Sequence, residues 1–200
     1  MSGSLVYIYA DESCLGNQLR DELRPGGAAG LIEKFDARRG WYRRDYWAHE
    51  PNTTNNRMAL LSAILGLSAL RRPCDVVFTS DSQYLVRGMK EWIHSWAERG
   101  WRRKGGAIEN LDLWRELNRA ARRHRVEWRW VRGHAGHPKN EYANCLAVRA
   151  AREERSTTEG LRPSRFDEWL QERIESGAFV DFLDVPPDDP FCPDPPPPDG

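Results

Sequence analysis

Two aspartates each close an apolar run. Asp11 ends SLVYIYAD (residues 4–11) and Asp81 ends DVVFTSD (75–81). If these runs are adjacent parallel strands, both carboxylates emerge at one sheet edge, where open α/β sheets place their sites. Two acids so placed suit a hard cation such as Mg²⁺, which takes oxygen ligands and keeps several waters. A second constellation lies in GHAGHPKNEYANCLA (133–147). There His134 sits in a glycine-flanked loop ahead of a helix, and Glu141, Asn144 and Cys145 follow within that helix. Flanking glycines give the loop freedom to move near a ligand. The plain alternative is a loop histidine satisfied by backbone, and His137, just before Pro138, reads as a turn residue.

The elements that must hold these groups follow from hydrophobic pattern. Residues 4–13, PGGAAGLIEKF and WYRRDYWAHE read as three strands, the last two joined near Asp36–Gly40. Their alternation suggests an antiparallel meander. A first helix spans 54–70, with Thr53 or Thr54 as its cap and Met58, Leu61, Ile64, Leu65 and Leu67 as its buried stripe. A short buried strand covers 75–81. Helices follow from near Ser82, around Trp92, Ile93 and Trp96, and over 111–124. VEWRWV (126–131) is a strand, and a long helix runs from Pro138 or Lys139 to about Glu154. A meander followed by two αβ crossovers closes as an α/β fold, a mixed sheet with helices on both faces.

Composition narrows the partners. The 200 residues carry no net charge, but 176–200 hold six Asp, no Lys or Arg, and eight of the thirteen prolines. Residues 1–175 therefore carry +6, which fits a nucleic-acid partner or simply a mixed solvated surface. We expect a folded domain over 1–155, a linker with a short amphipathic helix over 156–175 (Phe166, Trp169, Leu170), and a disordered acidic tail over 176–200 able to contact another protein. No cysteine pair has CxxC spacing, so neither a zinc site nor a redox dithiol is expected. With no signal peptide and no apolar run of spanning length, a cytoplasmic monomer without membrane contact is the default.

YADESCLGN, TNNRMALLSAI, SDSQYLVRGMKEWIHSWAERGW, ENLDLW and WRWVRGHAGHPKNEYANCLA occur in this order across about residues 5–153. Together they resemble the type 1 ribonuclease H family. The resemblance implies a five-stranded sheet in order 3-2-1-4-5. It also implies endonucleolytic hydrolysis of the RNA strand of RNA–DNA hybrids, with Mg²⁺ (or Mn²⁺) held by four carboxylates. Carried over by position, Asp11 and Asp81 are two of the four, and His134 matches the loop histidine that assists product release or proton movement. The second carboxylate, a Glu, falls where this chain has Ala59; the fourth, an Asp, falls at Asn144. Asn144 can still offer an oxygen to a metal held by Asp11 and Asp81, but Ala59 offers nothing. On that footing Ala59→Glu is expected to raise cleavage more than Asn144→Asp. Glu12 neighbours Asp11 on a strand, so alternation should turn it away from the site unless a bulge intervenes. Asp21 and Glu22, in the loop over 18–24, are another source of a replacement.

The same resemblance assigns substrate contacts. Cys14, Asn17, Asn55, Asn56 and Gln83 match positions that touch the hybrid; amides suit minor-groove acceptors and 2′-hydroxyls. Thr54 and Asn110 match a grip on a DNA phosphate. Residues 90–106 match a basic protrusion in which Trp92, Trp96 and Trp101 alternate with Arg102, Arg103 and Lys104, cations suited to backbone phosphates. Three readings follow: an active or weakened hybrid-specific nuclease, a hybrid-binding protein without catalysis, or a deliberately altered active-site variant.

Overall fold

The computed structural model describes residues 4–16, 24–133, 136–157 and 160–178. Strands β1 (Ser4–Cys14), β2 (Arg24–Asp36) and β3 (Gly40–Thr53) form the expected antiparallel meander. Strands β4 (Cys74–Ser80) and β5 (Arg125–Trp130) join parallel on the other side of β1. The order is β5-β4-β1-β2-β3-β6, the anticipated five strands plus a two-residue β6 (Arg162–Pro163) on the outer edge of β3. The sequence gives no hint of β6, because a strand of two residues carries no periodicity.

The helices are α1 (Asn55–Ser68), α2 (Gln83–Arg87), α3 (Ile93–Glu98), α4 (Leu111–Ala121), α5 (Pro138–Glu153) and α6 (Phe166–Glu175). A π-helical turn over Gly88–Trp92 links α2 to α3. Strand alternation divides the core. Val6, Ile8 and Ala10 of β1 face a cluster built with α1 and α4, whereas Tyr7 and Tyr9 face a second cluster with Tyr142, Leu146 and Ala147 of α5 and Phe166 of α6. Helix α1 is buried over more of its circumference than a single stripe. Ala59, Leu60, Ser62 and Ala63 are buried, while Leu61 and Leu65, expected in the stripe, are only half-buried. Thr54 caps α1, accepting from the Arg57 amide.

Helix α5 sits close on the sheet because Gly27 of β2 has no side chain; a Cβ there would collide with the Ala147 carbonyl. Its first turn is anchored by a buried ion pair, Lys139 Nζ to Glu33 Oε2 at 2.7 Å. Arg43 also binds Glu33 and reaches Asp167 of α6 at 2.8 Å. Such a network is favourable only when every member is paired, as here. The acidic segment from residue 179 onward lies outside the described residues.

Candidate active site

β1 and β4 run in parallel register with Ala10 beside Ser80. The next residue on each chain, Asp11 and Asp81, therefore leaves the same sheet edge, as the sequence suggests. One carboxylate oxygen from each of Asp11, Glu12 and Asp81 lies within 4.8 Å of the other two. Glu12 thus joins the site, against the expectation from alternation. No bulge causes this: the β1–β2 register is continuous through Asp11↔Ala29, Glu12↔Ala28 and Ser13↔Gly27. Ladder pairing with β4 ends at Ala10↔Ser80, and Asp81, the next residue, comes within reach of both Asp11 and Glu12. Glu12 leaves on the same face as Ala10, toward the cluster that also holds Ala59.

Electrostatics bear out the crowding. Burial pushes the Asp11 carboxyl well above its ordinary range, and the charges of Asp81, Glu12 and Glu141 push it further. Burial, then the Asp81 charge, lifts Glu12 to about 8. Glu12 as a residue is only partly buried, yet its Oε2 is shut off from solvent and accepts no hydrogen bond among the described residues. Three oxygen donors that repel one another, one with an idle buried oxygen, fit a hard divalent cation, whose charge would offset both penalties.

Helix α5 supplies the opposite wall. Asn140 Nδ2 donates to Asp11 Oδ2 at 3.3 Å. Asn144 follows one turn later on the same helix face, half-buried beside Glu141 along a groove of α5. His137 is not merely a turn residue. It is buried against Tyr9 and caps α5 by accepting from the Asn140 amide, and burial lowers it to about 4, which keeps the ring neutral and able to accept. The β5–α5 loop approaches Asp81 through Gly133, where a Cβ would strike the Asp81 carboxylate. His134, Asn17, Asp21 and Glu22 lie outside the described residues.

The other expected contact residues that fall among the described residues sit at the ends of β1, α1, α2 and α4 and in the segment after α3. Asn55 and Asn56 open α1 and Gln83 opens α2, with Gln83 exposed. Cys14 is half-buried at the end of β1. Asn55 Oδ1 and the neighbouring Thr53 Oγ1 are buried without hydrogen-bond partners among the described residues. Thr54 and Asn110 are linked by Arg57, whose guanidinium reaches Asn110 Oδ1 at 3.4 Å and Asp112 Oδ2 at 3.3 Å. Sequence reasoning passed over Arg57, although a cation beside a capping threonine is itself a phosphate signal. Asn110 holds a left-handed conformation (φ 55°) at the head of α4.

In the protrusion, Arg102, Arg103 and Lys104 are exposed. Trp92 is largely committed to packing, with ring centroids 5.6 Å from Trp96 and 6.0 Å from Tyr84. Its remaining edge lines a hollow with Arg103 and Glu109.

Comparison with known proteins agrees with this geometry. The sequence model of the RNase H family matches residues 3–152. The ribonuclease H of Photorhabdus laumondii subsp. laumondii is 41% identical over 165 residues, 82% of this chain and 99% of that protein. That of Stutzerimonas stutzeri is 44% identical over 150 residues, 74% and 93% of the two chains. The crystal structure of LC9-RNase H1, a type 1 RNase H with the type 2 active-site motif, superposes with a TM-score of 0.80 at 50% identity, covering 88% of this chain and 85% of that one. The chain belongs to the ribonuclease H family, whose reaction is hydrolysis of the RNA strand of RNA–DNA hybrids.

Proposed function

We propose that this chain is a catalytically competent ribonuclease H in which Glu12 stands in for the carboxylate absent at position 59. The observation that carries this is the convergence of Asp11, Glu12 and Asp81 at the ends of β1 and β4. The similar LC9-RNase H1 combines a type 1 fold with the type 2 active-site motif. We read a comparable relocation of a site carboxylate here.

Asp11, Glu12 and Asp81 would hold the divalent ions, with Asn144 adding a neutral oxygen; Mg²⁺ suits this all-oxygen set, and Mn²⁺ could replace it. Such ions supply charge that activates the attacking water and stabilises the leaving oxygen. The protein's own groups do the rest. Asn55, Asn56, Gln83 and Cys14 hold the hybrid's minor groove without adding charge. Thr54, Arg57 and Asn110 hold a phosphate of the DNA strand. Arg102, Arg103 and Lys104 bind backbone through screened attraction. His134 moves a proton near the leaving oxygen or speeds product release. The non-catalytic alternative rests on two missing carboxylates, and Glu12 removes half of its basis.

Endonucleolytic cleavage of a labelled RNA–DNA hybrid with Mg²⁺ or Mn²⁺, against EDTA and duplex-DNA controls, tests the reading. Cleavage confined to the RNA strand is expected; metal-replete protein that binds hybrid and leaves it intact would refute it.

A further inference from the structure

We infer that Asn140 is a positioning residue that fixes the orientation of the Asp11 carboxylate. The inference rests on the nuclease reading above and adds a residue to it. Both oxygens of Asp11 have a donor: the Glu12 amide reaches Oδ1 at 2.6 Å and Asn140 Nδ2 reaches Oδ2 at 3.3 Å. A carboxylate held at both oxygens cannot rotate about its Cβ–Cγ bond without losing a bond. One donor belongs to β1, which also carries Glu12. The other comes from α5, which also carries Asn144. Asn140 therefore joins the two walls of the site through Asp11.

The chemistry of the donor matters. A lysine or arginine at this place would neutralise Asp11 and compete with a cation for it. A neutral amide orients the carboxylate and leaves its charge whole, as outer-shell partners of metal ligands do. The surroundings make the donor rigid. Asn140 is 2% exposed. Its backbone amide is capped by His137, and the preceding Lys139 is bound to Glu33 within a surround of Tyr9, Trp41 and Phe166. The first turn of α5 is thus pinned twice, through His137 and through Lys139, just ahead of the residue that touches Asp11.

The test compares the parent protein with Asn140→Ala and the near-isosteric Asn140→Asp. Three quantities are read: single-turnover cleavage at saturating Mg²⁺, hybrid Kd in EDTA, and Mn²⁺ affinity without substrate by electron paramagnetic resonance. Removing an outer-shell partner typically costs about tenfold to a hundredfold in activity or metal affinity. We expect a loss of that size in rate for both variants, weaker Mn²⁺ binding in Asn140→Ala, and hybrid Kd unchanged within about twofold. A rate and Mn²⁺ affinity near the parent's in Asn140→Ala would overturn the inference. So would a loss of hybrid binding in step with the rate, since that marks a structural or substrate-binding role. A parent that binds Mn²⁺ and cleaves nothing would instead sink the nuclease reading, and Mn²⁺ affinity would still decide the role of Asn140.

Discussion

Glu12→Gln should make the metal-free protein more stable and, at the same time, inactive. In the folded chain Glu12 holds its proton up to about pH 8, against an ordinary value of 4.5. The folded state therefore binds more protons than the unfolded state between those values. Stability is fully present below the lower value, falls as pH rises through this window, and levels off above about 8. The rise from 4.5 to about 8 corresponds to roughly 5 kcal/mol at about 1.4 kcal/mol per tenfold change in proton affinity. Gln keeps the size of Glu12 and removes the charge, and it also lessens the repulsion on Asp11, one of the causes of that residue's own upward shift. At roughly 2–4 °C per kcal/mol for a chain of this size, the melting temperature in EDTA at pH 8 should rise on the order of 10 °C. At pH 4 the two proteins should melt within a few degrees of each other. Mg²⁺ should raise the parent's melting temperature and leave the variant's nearly unchanged. The assay is a thermal melt of both proteins at several pH values, with EDTA or Mg²⁺. A variant no more stable than the parent at pH 8 in EDTA would refute the claim that Glu12 is a buried charge awaiting a cation.

Other outcomes follow from single contacts. Gly133→Ala places a methyl group against the Asp81 carboxylate; the cleavage rate should fall by about tenfold or more while hybrid Kd in EDTA holds, since a misplaced catalytic group is costly even at small displacement. Replacing Arg102, Arg103 and Lys104 together by Ala should weaken hybrid binding evenly across sequences and flatten the log Kd against log salt slope by up to about three, one per lost phosphate contact; an unchanged slope would remove the protrusion from the interface. Truncation after Glu175 should leave melting temperature and hybrid binding as they are. Truncation before Ser164 removes Phe166, which is 2% exposed, and leaves Arg43 without Asp167. That shorter form should lose about 2–3 kcal/mol from the aromatic ring alone, read as a lower denaturant midpoint.

The mixed sheet and the two aspartates were legible because each rests on a strong local signal, period-two alternation and an acid at a strand end; the strand order came from the resemblance to the family. Glu12 was not: alternation sets it on the opposite face of β1 from Asp11, and that oxygens of both lie within 4.8 Å of Asp81 depends on where β4 ends beside β1. Where a neighbouring strand ends is a property of the whole sheet. Asn140 and Arg57 were hidden for another reason. An amide and an arginine in a first helical turn read as ordinary surface or capping residues until the partners at 3.3–3.4 Å are known. The α1 stripe failed where small residues, Ala59, Ser62 and Ala63, bury more fully than Leu61 and Leu65. Close packing near the β1 end favours size over hydrophobicity.

Glu12 also changes what Ala59→Glu should do. A second Glu would enter from the face Glu12 already uses, so the gain expected from sequence alone disappears. The decisive measurement is single-turnover hydrolysis of one RNA–DNA hybrid at saturating Mg²⁺ by the parent, Glu12→Ala, Ala59→Glu and the double variant. The account predicts a loss of about a thousandfold in Glu12→Ala, as for about 4 kcal/mol of transition-state stabilisation. It predicts no gain in Ala59→Glu, and substantial recovery in the double variant as the carboxylate returns from α1. Cleavage by Glu12→Ala at the parent's rate, or a large gain from Ala59→Glu alone, would contradict it.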